Sequence, residues 1–305
     1  MWVKLGLIFE PAGHISWMKS HAANPTPLVL DENRGLVRVF FTSRNSEQQS
    51  SIGYTDIEIR DNQSHIINVS PNPIVEPGKI GLFDDSGAAM GCIFYDGNQY
   101  YLFYLGWNLK VTVPWMNTIG LAIAQHADGP YFKFSQVPVM DRSAEDPYSI
   151  SYPCIIKEGA VYKMWYGSNL NWGKDQSEMQ HVIKYAESTD LINWNRTNEI
   201  HIPLIHPGEY ALSKPWVIKD KNLYKMWYSY RGNGNIVTYR IGYAESVDGI
   251  IWERKDSECG IDVSESGWDS EMICYASIFK LKNEIYMLYN GNGYGKTGFG
   301  IAKWI

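Results

Sequence analysis

One stretch of the chain is almost a copy of another. Pro153-Cys154-Ile155-Ile156-Lys157 precedes Tyr162-Lys163-Met164-Trp165-Tyr166, and Pro215-Trp216-Val217-Ile218-Lys219 precedes Tyr224-Lys225-Met226-Trp227-Tyr228. Each pair is followed by a third element, Ile183-Lys184-Tyr185-Ala186-Glu187-Ser188 or Ile241-Gly242-Tyr243-Ala244-Glu245-Ser246, and then by Trp194 or Trp252. Weaker copies start at Pro27, Gly91 and Ala276. With these taken as one repeat position, the successive intervals are 64, 62, 62 and 61 residues. A period of that length, carried through the whole chain, points to units that bury their faces only against their neighbours.

Each unit reads as short strands rich in aromatic and β-branched residues. They are separated by turn signals such as Asp96-Gly97, Glu158-Gly159 and Asp248-Gly249. No segment sustains a 3.6-residue period, so few helices are expected. Four antiparallel strands at this period make a propeller blade. The expectation is an all-β, five-bladed β-propeller forming one domain over residues 1–305. Its blades would lie at roughly 21–75, 84–140, 146–200, 209–258 and 269–305. The last unit supplies only three strands. The strand-like Val3-Lys4-Leu5-Gly6-Leu7-Ile8-Phe9 is predicted to complete it as the outermost strand, covering an open edge.

Composition narrows the function. With 27 Lys and Arg against 33 Asp and Glu, the net charge is −6. That argues against a nucleic-acid partner and against docking on anionic lipid. No apolar run is long enough to cross a bilayer, and the first ten residues turn acidic too soon for a secretory signal, so a cytoplasmic protein is expected. Cys92, Cys154 and Cys274 lie in apolar strand patterns and read as buried free thiols, whereas Cys259 reads as a loop residue. Twelve Trp and 21 Tyr suit either β-sheet cores or stacking on sugar rings.

Chemistry in a propeller collects where the innermost strands line the central channel. Asp84, Asp146 and Asp269 fall seven residues before the repeat position, Asp85 and Glu209 six before it, and Glu271 five before it. Convergent carboxylates are what glycoside cleavage needs, one protonated and one ionised. A repeated Asp before a strand also serves as a turn former. Glu271 and Asp85 are expected as the acid/base pair, with Asp84 and Asp269 in support. His21, Asn24, Arg44, Trp107, Tyr152, Lys214, Arg231, Tyr275 and Asn290 are expected to hold the substrate. No cofactor is expected. A ring of carboxylates in the channel would suit a calcium ion, although no ligand spacing demands one.

The Pro-led inner strand, the Tyr-Lys-Met-Trp-Tyr strand and the Ala-Glu-Ser-x-Asp-x-x-x-Trp tail resemble those of the five-bladed propeller glycoside hydrolases of families 43, 32 and 130. Phe83-Asp84-Asp85-Ser86-Gly87, Tyr228-Ser229-Tyr230-Arg231-Gly232, Gly267-Trp268-Asp269-Ser270-Glu271-Met272 and Asn290 to Gly298 resemble glycosidase-like proteins of bacterial surface-polysaccharide clusters. The resemblance implies a carbohydrate ligand and glycosidase chemistry. In family 43 acidic residues occupy the innermost strands. Here those positions hold Thr26, Met90, Tyr152, Lys214 and Tyr275. Two readings follow. In one, a glycoside hydrolase acts on an anionic sugar or polysaccharide precursor with acids drawn from the pre-strand loops. In the other, a catalytically inactive propeller binds glycan. A purely structural scaffold is the third and is disfavoured by the rim of acids and arginines.

Overall fold

The computed structural model describes residues 1–11, 13–173, 178–234 and 237–305. Among the described residues, the regular secondary structure is almost wholly β-strand. The leading strand, β1 (Trp2–Phe9), is followed by β2 (Ser20–Asp31), β3 (Leu36–Arg44), β4 (Ser50–Arg60) and β5 (Gln63–Val69). Next come β6 (Gly87–Tyr95), β7 (Tyr100–Leu109), β8 (Trp115–Ala124) and β9 (Phe132–Lys133). The third group is β10 (Ile150–Glu158), β11 (Val161–Asn169), β12 (His181–Ser188) and β13 (Asn195–Arg196). The fourth is β14 (Ala211–Asp220), β15 (Leu223–Arg231), β16 (Arg240–Ser246) and β17 (Glu253–Arg254). The chain ends with β18 (Cys274–Leu281), β19 (Glu284–Asn290) and β20 (Phe299–Trp304).

Within each group, consecutive strands pair antiparallel as a meander. The last runs β18-β19-β20-β1, with Trp2 opposite Trp304 and Phe9 opposite Phe299. The amino-terminal segment therefore covers the outer edge of the final meander. Single parallel bridges, Ser50 with Gly87 and His181 with Ala211, join the first meander to the second and the third to the fourth.

Among the described residues, apolar clusters lie between each meander and the next. One joins the first to the second through Phe40, Met90 and Tyr104. Others join the second to the third, the third to the fourth, and the fourth to the fifth. Another brings Phe9, Phe299 and Ile301 of the last meander against Val37, Val39 and Phe41 of the first. The middle strands are thus covered on both faces. This is why Met164-Trp165-Tyr166 reads as an unbroken apolar run rather than an alternating one, and all three side chains are fully buried. All four cysteines are buried and free, Cys259 included. That residue packs with Trp2 and Trp227 between the fourth and fifth meanders.

A polar device repeats with the fold. Asp84 accepts the Tyr104 hydroxyl at 3.0 Å and Lys133 Nζ at 2.6 Å. Asp146 accepts Tyr166 at 2.8 Å and Ser168 at 2.6 Å, with Arg196 at 3.2 Å. Asp269 accepts Tyr289 at 3.0 Å and Lys4 at 2.7 Å. In each case the acid precedes the inner strand, the tyrosine lies on the second strand, and a cation comes from the outermost one. The fourth meander varies the theme. Glu209 takes both forks of Arg254, while Tyr228 donates to Asp256. In the first, Phe41 replaces the tyrosine and Trp17 stacks on it with centroids 5.9 Å apart.

The inner strands are bulged. Pairing shifts between Ser151 and Cys154, Ser213 and Trp216, and Cys274 and Ser277. At these bulges Tyr152, Lys214 and Tyr275 adopt φ of 44°, 51° and 58°. A non-glycine residue there is strained, and a bulge re-aims its side chain out of the sheet pattern.

Candidate functional site

A cavity of about 340 Å³ opens where all five meanders meet. That lies near the lower end of the range for small-molecule pockets, roughly 300–1,000 Å³. The first meander lines it with His21, Asn24, Arg44 and Ser50, the second with Trp107 and Trp115. Tyr152 and His181 come from the third, Arg231 and Tyr239 from the fourth, Tyr275 and Tyr294 from the fifth. Antiparallel pairing builds this wall, because the end of a second strand lies beside the start of a third. Arg44 is paired with Ser50, and Trp107 with Asn117.

The bulged tyrosines meet at the centre, with the Tyr152 and Tyr275 rings 5.6 Å apart. Arg231 is held in an aromatic cage. It donates to the Tyr294 hydroxyl at 2.9 Å and lies 4.6 Å over the Tyr239 ring and 5.1 Å over Tyr210. The Arg44 guanidinium, in contrast, makes no hydrogen bond or ion pair with any described residue, although its backbone carbonyl accepts the Lys19 N–H at 2.8 Å. Trp107 donates its indole N–H to Ser50 Oγ at 2.7 Å. Among the described residues no Asp or Glu lines the cavity.

The electrostatics follow from burial and the two arginines. Burial, then the nearby Arg44 and Lys296 charges, lowers the His21 pKa to about 4. His181 falls to about 3 through burial and Arg231. Both rings are therefore neutral at pH 7. Burial pushes Tyr239 up to about 12 and raises Tyr152 and Tyr275 as well, so these phenols stay protonated donors. The cavity is a cationic, aromatic-walled space in a chain whose net charge is −6.

Seven of the residues expected to hold substrate do line the cavity: His21, Asn24, Arg44, Trp107, Tyr152, Arg231 and Tyr275. Lys214 and Asn290 do not. Lys214 is fully buried, donates to the Gly91 carbonyl at 3.1 Å and sits 4.8 Å over the Trp216 ring. It spans from the fourth meander to the second instead of facing a ligand. Asn290 is a structural clasp. Its Nδ2 donates to the carbonyls of Ala22 and Gly298, and its Oδ1 accepts the Asn24 N–H at 2.9 Å.

The four acids expected as catalytic residues stand elsewhere. Asp84 and Asp269 are buried in the tyrosine and lysine clasps described above. Asp85 is half-buried and accepts Asn108 at 2.6 Å, Ser86 at 3.0 Å and the Gly81 N–H at 3.0 Å. Burial pushes its carboxyl up, but these hydrogen bonds outweigh that and hold it below its ordinary range. Glu271 is exposed. Its backbone carbonyl accepts Thr238 and Arg240, the neighbours of Tyr239, while its carboxylate has no partner among the described residues. Nor do the acids form a calcium cradle: no group of three or more His, Cys, Asp or Glu among the described residues is placed to hold a metal ion.

Sequence reasoning missed Ser50, Trp115, His181, Tyr239 and Tyr294. The first four begin, or immediately precede, third strands. Their signal was the antiparallel pairing itself, since Arg44, Trp107 and Arg231, expected from sequence to hold substrate, lie at the ends of second strands opposite these positions. Among the described residues no helix is long and apolar enough to cross a membrane.

Comparison with known proteins places the chain in context. It is 42% identical over 301 residues to the uncharacterized protein Rv1502 of Mycobacterium tuberculosis, covering 99% of this chain and 98% of that one. A solved glycoside hydrolase superposes with a TM-score of 0.77 at 14% identity, covering 98% of this chain and 90% of that chain. A structure from GH130 superposes with a TM-score of 0.73 at 14% identity, over 100% of this chain and 93% of that one. GH130 is described there as a family of mannoside phosphorylases containing glycoside hydrolases that target β-1,2 mannosidic linkages in Candida mannan. No protein-family profile matches the chain.

Proposed function

The chain belongs to the same family as Rv1502 of Mycobacterium tuberculosis, and we propose that it is a five-bladed, glycosidase-like β-propeller whose central cavity binds a carbohydrate bearing an anionic group. Apolar packing of each meander on the next, and of the last on the first, supports the blade count. Glycoside hydrolases sharing the fold support the ligand class. One observation carries the anionic part of the reading: the Arg44 guanidinium lines the cavity with no acceptor among the described residues. An arginine half withdrawn from water gains most from a carboxylate or phosphate that matches its planar fork. The tyrosine and tryptophan faces offer apolar surfaces for the C–H face of a sugar ring.

The test is calorimetric titration of wild type and Arg44→Met with neutral sugars, sugar acids and sugar phosphates. Anionic sugars should bind wild type, and Arg44→Met should weaken them at least tenfold. Neutral sugars binding as well as their charged counterparts, with Arg44→Met unaffected, would overturn the reading.

Glycoside hydrolysis is the second reading, favoured by the exposed carboxylate of Glu271, unpaired among the described residues, beside the Tyr239 segment. A bound sugar consumed by wild type and left intact by Glu271→Gln would support it. A sugar that binds and survives incubation with wild type would leave a binding propeller.

A further inference from the structure

We infer that the anionic group is a phosphate ester, received on the edge of three adjacent strands by Arg44 with Ser50 and His21 on either side. The inference rests on the cavity being the binding site and names the chemistry that site selects. Cross-strand register creates the arrangement. Ser20 pairs with Arg44 across β2 and β3, and Arg44 pairs with Ser50 across β3 and β4, so the three positions stand in one row at the cavity wall.

Arg44, Ser50 and His21, the last of these next to Ser20 in the chain, line the cavity and keep hydrogen-bonding capacity there. Arg44 has no acceptor among the described residues. Ser50 is 3% exposed, and its oxygen is already the acceptor of the Trp107 indole N–H, so its own hydroxyl proton is free to be given away. No described acceptor takes that proton. A buried hydroxyl whose donor is unmet costs stability unless something completes it. The close approach of Trp107 and Ser50 is permitted by Gly87, where a side chain would collide with both Ser50 Oγ and Trp107 Nε1. His21 Nδ1 lies 2.9 Å from Ser20 Oγ. With the Ser20 hydroxyl donating to Nδ1, the neutral ring carries its proton on Nε2, as a third donor. Lys296 adds positive charge from the fifth meander.

The donor set discriminates between anions. A carboxylate is planar and offers two oxygens in one plane, which a single arginine fork satisfies. Donors from three successive strands are more than a carboxylate's two oxygens require and match in number the three terminal oxygens of a phosphate monoester. Arg231, caged by tyrosines on the opposite side, is left to the sugar.

The experiment titrates inorganic phosphate, glucose 1-phosphate, glucuronate and glucose into the full chain at fixed ionic strength, followed by calorimetry and ³¹P NMR. Variants are Arg44→Met, Ser50→Ala and Trp107→Phe, each checked for an unchanged melting profile, with Arg44→Lys as the conservative control. Both phosphates should bind. Arg44→Met should weaken them at least tenfold and Ser50→Ala several-fold. Trp107→Phe, which removes the indole N–H from Ser50 and keeps an aromatic face in the wall, should weaken inorganic phosphate less than Ser50→Ala does. Glucuronate binding in an Arg44-dependent way with neither phosphate doing so would overturn the phosphate inference and leave the anionic-sugar reading standing. If no anion binds, or Arg44→Met binds them as tightly as wild type, both fall.

Discussion

Tyr166 donates its phenolic proton to Asp146 at 2.8 Å, from a position twenty residues along the chain. The same separation links Tyr104 to Asp84 and Tyr289 to Asp269. These contacts account for the acids that recur before the inner strands. Each acid ties the approach to an inner strand to the middle of its own meander and neutralises a cation from the outermost strand. Asp146 is the most enclosed. It is fully buried, and Lys184 and Arg196 both lie 3.2 Å from its oxygens.

Asp146→Ala should therefore be severely destabilising. It would take from Lys184, which is 2% exposed, and from half-buried Arg196 the carboxylate they are both paired with. Breaking one side of such a buried pair costs about 3–5 kcal/mol. Denaturant unfolding should show that loss while the affinity for any cavity ligand stays unchanged. A loss under about 1 kcal/mol would mean that the clasp contributes little to the fold.

The repeat made the strand order readable, because its period is imposed by packing each unit against the next. The pairing of the amino-terminal strand with the last was equally legible, since a three-stranded final unit leaves an open edge. The role of the acids was not. An Asp seven residues before the repeat position fits a turn, a catalytic rim or a buried clasp, and only the partner decides. The partners, Tyr104 with Lys133 and Tyr289 with Lys4, lie on strands that sequence assigned to the core or to the edge. Lys214 misled for a related reason. Its position matches those of Tyr152 and Tyr275, but its longer side chain passes across to Gly91 instead of lining the cavity.

The joint between the first and last meanders depends on β1. Trp2 packs with Trp227 and Ile278 between the fourth and fifth meanders, while Phe9 packs with Phe41 and Phe299 between the fifth and first. Lys4 supplies the cation for Asp269. Trp2→Ala should cost about 3–5 kcal/mol, as expected for an aromatic ring removed from a core. Deleting residues 1–10 should remove both anchors and lower the melting temperature sharply. A truncated chain that melts like its parent would show that the strand is dispensable.

Lys214 carries a testable pH signature. Burial lowers its pKa to about 8, and no carboxylate among the described residues pairs with it. The unfolded chain holds this proton up to about pH 10.4. Between those values the unfolded state binds more protons, so this lysine's destabilising effect fades as pH rises from 8 towards 10. Lys214→Met keeps the length of the side chain and removes the charge. It should raise the unfolding midpoint at pH 7, and the gain over wild type should shrink as pH approaches 10. A variant less stable than wild type at pH 7 would show that the bond to the Gly91 carbonyl outweighs the buried charge.

His21 reports directly on the cationic wall of the cavity. Its pKa is lowered to about 4 by burial first, and then by Arg44 and Lys296. The unfolded chain takes up this proton near pH 6.5, well before the folded state does. Stability should consequently fall as pH drops from about 6.5 through 4, and His21→Gln should flatten that part of the profile. Proton NMR of the His21 ring should give a midpoint near 4 in wild type. Arg44→Met removes a repelling charge, so the midpoint should rise. Saturation with inorganic phosphate should raise it too, because an anion beside the ring favours the imidazolium. The two shifts separate the terms: Arg44→Met moves the midpoint by the arginine's contribution alone, whereas phosphate acts only if it sits within reach of His21. A midpoint near 6.5 in wild type, or one that ignores both perturbations, would place His21 outside the cationic field.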